Sequence, residues 1–577
     1  MKMRVWLHGL IILSIFLSLN VSRGKSAPFF DCTTVTEIPQ PECEALEWIY
    51  LSTGGSEWTN HDNWFSTITP SNWAHVTVTD NHVTRLNLMN NHLVGFIPEQ
   101  IGDLPELTYL DMGDNQLSGT IPTTFGKLVH LTDLYLWENA LTGSVPSELG
   151  KLSSLRYLNF WSNQLNGSLP STLGGLSQLI ELVISQNHLT GEIPSSYGDL
   201  THLSTLAFYD NALSGDVPNL SKLTDLTGLY LNNNQLSGNI LSWIGSLTKL
   251  SELQLMANQF TGEIQPEIGN LTDLTWIGLR GNKFTGSIPP EFGNLTKLTV
   301  IDFRHNYFSG TIPVSIGNLI HLTALHLEGN QFTGAIPHQI GNLTDLTELG
   351  LDHNLLSGSP PEELVNLTHL VGPHEGAWGA DGLALDYNHL TVPVPYPADP
   401  PTALQSLLLV KDPSWQFTQT VDAAVTAAGG ELTSHDSTAT ITVPSGAVTT
   451  TTTLEYVPQA WPTQSPSNFV FANRSFQLQA LDSGGTPIDS FTFLEPVTIT
   501  IQYTQQDIQT LMEGSVLLYY WDTSTHSWKD ASTTCTPNTG YLRDSVNHTL
   551  TVSVCHFTEF ALLGNTELKF YLPVVQK

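Results

Sequence analysis

The stretch LYLWENALTGSVP, from Leu134 to Pro146, decides the fold, because its leucines and central asparagine return along the chain at a nearly fixed interval. Thirteen asparagines hold the central position. They are Asn91, Asn115, Asn139, Asn163, Asn187, Asn211, Asn234, Asn258, Asn282, Asn306, Asn330, Asn354 and Asn388. Successive asparagines are 24 residues apart, except for one step of 23 residues and a last step of 34. A unit of this length buries its apolar side only by stacking on its neighbours, so the pattern predicts a solenoid.

Each repeat predicts a short β-strand followed by a tight bend. In Leu134-Tyr135-Leu136 the two leucines point inward and the tyrosine points outward, as strand alternation requires. One strand per coil gives a long parallel sheet, which we expect on the concave face. A buried asparagine is tolerable only when its amide is hydrogen-bonded, so we predict that the amides pair with backbone groups as a ladder. The glycine that follows permits the bend, and the proline fixes the chain beyond it.

The motif LxGxIP, as in Leu117–Pro122, resembles the plant-type leucine-rich repeat of receptor kinases and polygalacturonase-inhibiting proteins, which also occurs in secreted bacterial proteins. The resemblance covers residues 80–395, about 13 repeats, and implies a second short strand in each repeat. It lapses at Ile240-Leu241 and Ile264-Gln265, where the proline is missing. It lapses again at Val371–Gly382, where ten residues are inserted before the last repeat.

Residues 28–79 are similar to the N-terminal cap of such proteins. The segment Glu44–Phe65 predicts a helix, a glycine turn, and then Trp58 and Trp64 over the first leucines, because an uncapped coil exposes its core. Plant caps usually have a second cysteine pair near this point. The stretch Trp73–Val78 has no cysteine, which favours a bacterial or protist form over a plant one.

Residues 1–27 have the pattern of a secretory signal peptide. A basic start, Met1–Arg4, precedes the apolar run Val5–Leu19, and small residues follow. The run is shorter than the ~20 residues that cross a bilayer, so an uncleaved anchor is only the alternative, and we expect no transmembrane span in the mature chain.

The four cysteines lie in two local pairs near the two ends of the mature chain. Four cysteines allow three connectivities, and proximity in sequence favours the pairs Cys32–Cys43 and Cys535–Cys555. Such bonds persist in an oxidising compartment. None of the cysteines has the spacing of a zinc site, and we predict neither a metal nor another cofactor.

Outward strand positions of successive repeats form columns, within which neighbouring residues lie about 5 Å apart, and several columns carry aromatic and acidic residues. Exposed aromatic clusters are costly unless they bind something, and Trp and Tyr dominate binding hot spots. The predicted ligand-binding residues are Tyr109, Asp111, Asp133, Tyr135, Trp137, Tyr157, Trp161, Tyr209, Tyr230 and Trp276. They suit sugar rings or an extended peptide. The alternative is that the aromatic side chains only pack on one another across the sheet.

Later repeats present Arg280 and Arg304 beside Glu328 and Asp352, which we interpret as a surface charge ladder. Asp302, His326 and Asp352 contain metal-ligand types, but they lie in different columns. We therefore predict no metal site here.

The leucine pattern ends near Leu390, and residues 396–414 are predicted to be a linker. Residues 415–564 are rich in Thr, Val and Ser with alternating apolar positions, which predicts an all-β sandwich. The segment Gly429–Val448 resembles the β-sandwich domain of ankyrins and netrin receptors. A C-terminal tail, residues 565–577, completes the chain.

The string CHFTEFALL, Cys555–Leu563, resembles the autoproteolysis site of adhesion receptors. The resemblance implies His556 as general base and Thr558 as nucleophile, with cleavage between Phe557 and Thr558. The receptors usually have four cysteines there and one residue between the last cysteine and the histidine, whereas Cys555 adjoins His556 directly. The alternative is an ordinary strand pinned by a disulfide.

The sequence thus predicts a mixed α/β solenoid followed by an all-β sandwich. With 53 acidic against 20 basic residues, its net charge of -33 argues against nucleic acid as the partner. We interpret the chain as a secreted or cell-surface recognition or adhesion protein, not a substrate-turnover enzyme, that binds an extracellular protein or carbohydrate. A self-cleaving surface protein and an inhibitor of an extracellular polysaccharide-degrading enzyme are the alternatives.

Overall fold

The computed structural model describes residues 30–372, 382–391, 402–412, 419–434, 438–459, 470–481, 488, 492–503, 516–522, 524–525, 527–535, 540–544, 547–556 and 559–564. The predicted signal peptide and the predicted C-terminal tail lie outside these residues, as does most of the insertion before the last repeat.

The N-terminal cap is a helix and three tryptophans that cover the first coil. Helix α1 spans Gln40–Ser52, and the Cys32–Cys43 disulfide ties its first turn to the preceding chain. Trp58, Trp64 and Trp73 are buried against the core, and Trp73 is only 1% exposed. Trp58 and Trp64, which the sequence predicts over the first leucines, are both part of the apolar core that contains those leucines.

One long sheet of 14 strands runs through the described part of the solenoid. Its strands are Val76–Thr79, His82–Asn87, Tyr109–Asp111, Asp133–Tyr135, Tyr157–Asn159, Glu181–Val183, Thr205–Ala207, Gly228–Tyr230, Glu252–Gln254, Trp276–Gly278, Val300–Asp302, Ala324–His326, Glu348–Gly350 and Leu383–Ala384. The first pair is antiparallel and every later pair is parallel. The repeats stay in register, so that Leu134 faces Leu158 and Leu182 faces Leu206. The predicted parallel sheet is confirmed.

The LxGxIP segments form a second series of short parallel strands, as the resemblance implies. Seven of them pair in one sheet: Val94–Phe96, Gln116–Thr120, Ala140–Gly143, Gln164–Ser168, His188–Gly191, Ala212–Asp216 and Gln235–Ser237. Thr261–Glu263 pairs with Lys283–Thr285, and a third group comprises Ser309–Thr311, Gln331–Ala335, Leu355–Gly358 and His389–Leu390. The first break falls at the repeat without its proline, where a 3-10 turn, Ile240–Ser242, includes the position of the missing proline.

The asparagine ladder is present and joins each coil to its neighbours. The Nδ2 of Asn163 donates to the carbonyl of Leu136, one coil back, at 2.9 Å, and to that of Phe160 at 3.2 Å. Its Oδ1 accepts from the backbone N–H of Leu141 at 3.0 Å. The same pattern repeats along the chain, for example at Asn187 and Asn306. The amides thus satisfy backbone groups where the chain leaves the sheet.

A second helix lies within the segment predicted as a linker. Helix α2, Ala403–Lys411, begins with a capping box in which Thr402 and Gln405 exchange hydrogen bonds. Leu404 and Leu408 are buried and belong to the same apolar core as the repeats. The helix therefore covers the C-terminal end of the solenoid core.

The C-terminal region forms two antiparallel sheets. The six-stranded sheet contains, in spatial order, Val421–Val425, Thr452–Gln459, Val470–Leu481, Glu559–Gly564, Leu517–Asp522 and Ser527–Asp530. The five-stranded sheet contains Gly430–Thr433, Ala439–Val443, Thr492–Gln502, Thr549–His556 and Tyr541–Asp544. Buried residues of both sheets share one apolar cluster, and the predicted Cys535–Cys555 disulfide is present.

Candidate functional site

The predicted ligand-binding residues lie on the solvent side of the 14-stranded sheet, which we call the outer sheet face. Strand register places Tyr109, Asp133, Tyr157 and Glu181 side by side in one column, so that aromatic and acidic side chains alternate. All ten predicted residues except Asp111 are partly exposed. This alternation follows from the strand register alone, because equivalent positions of successive repeats are neighbours in the sheet.

At the N-terminal end of this face, hydrogen bonds hold the tyrosines. The Tyr109 hydroxyl donates to Asp111 at 3.1 Å, and its ring lies 5.8 Å from that of Tyr135. The guanidinium of Arg85 stacks 3.4 Å above the Tyr109 ring centroid. Asp111 is only 5% exposed and also accepts from the backbone N–H of Gly113, so it supports Tyr109 from beneath. Burial raises the pKa of the Asp111 carboxyl above its usual value, and these two hydrogen bonds offset only part of that rise.

Trp137, Trp161 and Tyr209 share the column that follows the second leucine. The ring of Trp137 covers Gly113 of the preceding repeat. Trp161 and Tyr209 flank Ser185, which is 0% exposed. Burial raises the pKa of the Tyr209 hydroxyl, and the indole of Trp161 partly offsets this rise. The three aromatic residues therefore lie in one strip of the face, in which Ser185 separates Trp161 from Tyr209.

Further along, carboxylates again bind the aromatic or amide groups beside them. The Tyr230 hydroxyl donates to Glu252 at 3.0 Å. Burial, followed by this hydrogen bond, raises the pKa of Tyr230 to about 12. Asn159 donates to Glu181 at 3.3 Å. These bonds orient the polar groups, and Tyr230 remains partly exposed.

Trp276, the last predicted aromatic residue, lines a cavity of about 620 Å³ that the sequence did not reveal. Side chains of five successive repeats line it. They are Asn232, Asn233, Gln254, Met256, Ala257, Trp276, Arg280, Gly281, Val300, Asp302, Arg304, His305 and His326. The volume falls within the ~300–1,000 Å³ of small-ligand sites. Trp276 thus belongs to a different part of the face from the Trp137 strip.

A buried charge network lies at the far end of this cavity. The Arg304 guanidinium donates twice to Asp302, at 2.8 and 2.6 Å. His326, 1% exposed, places Nδ1 at 3.1 Å from Glu328 and Nε2 at 3.0 Å from Glu348. Burial lowers the pKa of His326, but the bond to Glu328 and its charge outweigh burial and raise the pKa above its usual value. The predicted exposed charge ladder is therefore partly an internal network.

The three residues with metal-binding side chains noted in the sequence, Asp302, His326 and Asp352, each contact another side chain. Asp302 binds Arg304, His326 binds two glutamates, and Asp352 contacts His353 at 2.7 Å. Within the described ranges, no group of three His, Cys, Asp or Glu side chains is arranged to hold a metal ion. In the same ranges, no helix combines the length and apolarity needed to cross a bilayer.

The predicted self-cleavage site is only partly described. His556 ends the strand Thr549–His556, and its ring meets that of Tyr520 edge-on at 5.1 Å. Phe557 and Thr558 lie outside the described residues. Self-cleavage at this bond therefore stays a prediction from sequence.

Comparison with known families identifies the solenoid. The leucine-rich repeat region family matches residues 140–266 and 259–371, and the leucine rich repeat family matches residues 81–141. Residues 81–371 are thus leucine-rich repeats, and the chain is a leucine-rich-repeat protein. Among curated proteins, none matches the chain.

Solved structures with related repeats include plant receptors. The plant peptide hormone receptor RGFR1, in complex with RGF2, is 34% identical, with 52% of this chain and 47% of that chain covered and a TM-score of 0.49. The ectodomain of the receptor kinase GASSHO1/SCHENGEN3 from Arabidopsis thaliana, in complex with CASPARIAN STRIP INTEGRITY FACTOR 2, is 36% identical, with 53% and 42% covered and a TM-score of 0.44. The chain therefore spans less than half of either receptor structure.

Proposed function

We propose that this chain is an extracellular recognition protein whose outer sheet face binds an extended protein or glycan partner. The observation that carries the proposal is the strip of Trp137, Trp161 and Tyr209 beside the column of Tyr109, Asp133, Tyr157 and Glu181. Aromatic side chains supply large contact areas at little entropic cost, and neighbouring carboxylates supply orientation. The cavity beside Trp276 extends the same face.

Two features near the ends of the chain support an extracellular location. A secretory leader at residues 1–27 and two disulfides, Cys32–Cys43 and Cys535–Cys555, suit an oxidising, extracellular setting. The two antiparallel sheets pack as a β-sandwich around their shared core, and this domain acts as a spacer or an anchor for the solenoid. Neither self-cleavage nor enzyme inhibition gains an observation of its own within the described residues.

The test compares partner binding by the full-length secreted protein and its variants. Partners are first recovered with a glycan array and a surface-proteome pulldown. Replacing Trp137 and Trp161 together by alanine should abolish binding and leave the melting temperature within a few degrees, because both rings lie on the solvent side of the sheet. Trp48, 49% exposed on α1, provides the matched control as Trp48→Ala. Unchanged affinity in the double variant would place the binding site elsewhere.

A further inference from the structure

The cavity beside Trp276 has walls of two kinds. Trp276, Met256 and Val300 make an apolar side, and Asn232, Asn233 and Gln254 bring amides to the same space. Besides His326 Nε2, which lies beside Glu348, two shielded polar atoms of this lining form no hydrogen bond within the described structure: Trp276 Nε1 and Asn232 Oδ1. One is a donor and the other an acceptor. A buried polar atom without a partner calls for an explanation, and a bound ligand supplies one.

The cavity also presents a free positive charge on a strongly acidic chain. Arg280 is exposed and lines the cavity, and its guanidinium makes no ion pair or hydrogen bond with any described residue. Arg304 is different, because its guanidinium donates two hydrogen bonds to the Asp302 carboxylate. The acidic groups behind the cavity, Glu328 and Glu348, contact His326 and do not line the space. Arg280 is therefore the cation available to a ligand.

We propose that this cavity binds a uronate, an acidic sugar residue of a glycan, which deepens and rests on the proposed function of the face. The sugar ring lies against Trp276, its hydroxyl groups meet the amides, and its carboxylate pairs with Arg280. A hydroxyl both accepts and donates hydrogen bonds, so sugar hydroxyl groups suit a lining whose amides offer donors and acceptors. An acidic peptide side chain brings a carboxylate to Arg280 but no ring to lie against Trp276.

The acidity of the rest of the chain makes binding of an acidic glycan depend on Arg280. The chain carries a net charge of -33, so long-range attraction does not draw an acidic glycan to it. Binding depends instead on the local guanidinium and on contact with the ring. Loss of Arg280 is thus expected to remove the preference for the acid, whereas loss of a lysine outside the cavity leaves it intact.

The experiment is calorimetric titration of the full-length secreted protein with uronate tetrasaccharides. Three backbones are used: hyaluronan, oligogalacturonate and oligoalginate, each as the acid and as its methyl ester. At least one acid is expected to bind, and its ester to bind at least tenfold more weakly. Arg280→Gln should bind the acid at least tenfold more weakly and no longer distinguish acid from ester. Lys297, an exposed residue outside the cavity that pairs with Asp273, gives the matched control Lys297→Gln, which should behave as the wild type.

Several results would overturn the inference. These are the absence of binding to all three acids, equal binding of acid and ester, or unaltered binding by Arg280→Gln. Arg280-dependent binding of a glutamate-rich peptide without binding of any uronate would refute the glycan assignment in favour of an acidic polypeptide. A recovered partner that needs Trp137 and Trp161 but not Arg280 would leave the proposed function standing and remove only this inference. A partner indifferent to both tryptophans would remove the proposed function.

Discussion

The indole ring of Trp137 lies against Gly113 so closely that a Cβ on the glycine would fall 2.5 Å from ring atoms Nε1 and Cε2. Gly113 is not among the residues with positive φ, so its backbone would accept any side chain. The glycine is therefore required by the ring of the next repeat. A neighbouring coil thus fixes where this aromatic side chain lies on the outer sheet face.

Gly113→Ala should displace Trp137 and weaken partner binding about tenfold without unfolding the protein. The added methyl group overpacks the contact by ~1–3 kcal/mol, which the half-exposed ring relieves by moving toward solvent. Titration of the recovered partner and tryptophan fluorescence measure the two effects. Gly175→Ala is the control, because a Cβ at Gly175 meets nothing within 4 Å. Identical emission and affinity in both variants would show that Gly113 does not position the ring.

Asn187→Leu should lower the free energy of unfolding by about 3 kcal/mol, because it leaves buried backbone groups without hydrogen-bond partners. The amide of Asn187 donates to Phe160 and Ser185 and accepts from Leu165. Urea denaturation gives the value, and hydrogen exchange locates the loss in the adjoining coils. Asn166→Leu makes the same change at an exposed position and should cost little. Equal costs at the two positions would contradict the ladder's role.

His326→Gln should destabilise the solenoid by about 3 kcal/mol at low pH, because Glu328 and Glu348 then lack their shared cation. The folded pKa of His326 is raised above 6.5, so its stabilisation is complete below that value and is lost as pH rises through the folded pKa. The difference between wild type and variant should therefore shrink with rising pH. Chemical denaturation from about pH 5 to about pH 9 measures it, with exposed His321→Gln as control. A difference that is constant with pH would argue that His326 folds uncharged.

Leu408→Ala in α2 should cost ~2–5 kcal/mol and increase hydrogen exchange in the last repeats, because Leu408 is buried in the solenoid core. Val410→Ala, at a position 64% exposed on the same helix, should cost little. Protection of the last repeats that survives Leu408→Ala would mean that α2 is an appendage and not a cap.

The solenoid was predictable because its information is periodic. Identical spacing forces each coil to stack in register, and the buried amides of Asn163 and Asn187 find hydrogen-bond partners for all their groups only in such a ladder. The tryptophans of the cap were predictable for a related reason, since an open apolar end needs large side chains. Helix α2 was missed because the prolines of Val392–Pro401 dominated the composition around it. The capping-box pair Thr402 and Gln405 was the signal that would have revealed the helix.

The candidate site was less predictable, because the repeat pattern shows which residues point outward but not which conformations their side chains adopt. Asp111 lies in an outward column, yet it turns down to bind Tyr109 and Gly113. His326 finds Glu348 in the next coil, a contact that depends on side-chain length. The cavity arises where side chains of five repeats differ in size, and no single repeat contains that pattern. Arg280 therefore looked like one member of a charge ladder when only the sequence was considered.

The rungs formed by Asn163 and its equivalents have a mechanical consequence. Each rung ties a coil to the one before it, so tension on the chain ends loosens the terminal coil first and leaves the remaining rungs closed. Each freed coil releases on the order of 80 Å of extended polypeptide. Under tension the chain is thus expected to lengthen in discrete steps, one coil at a time.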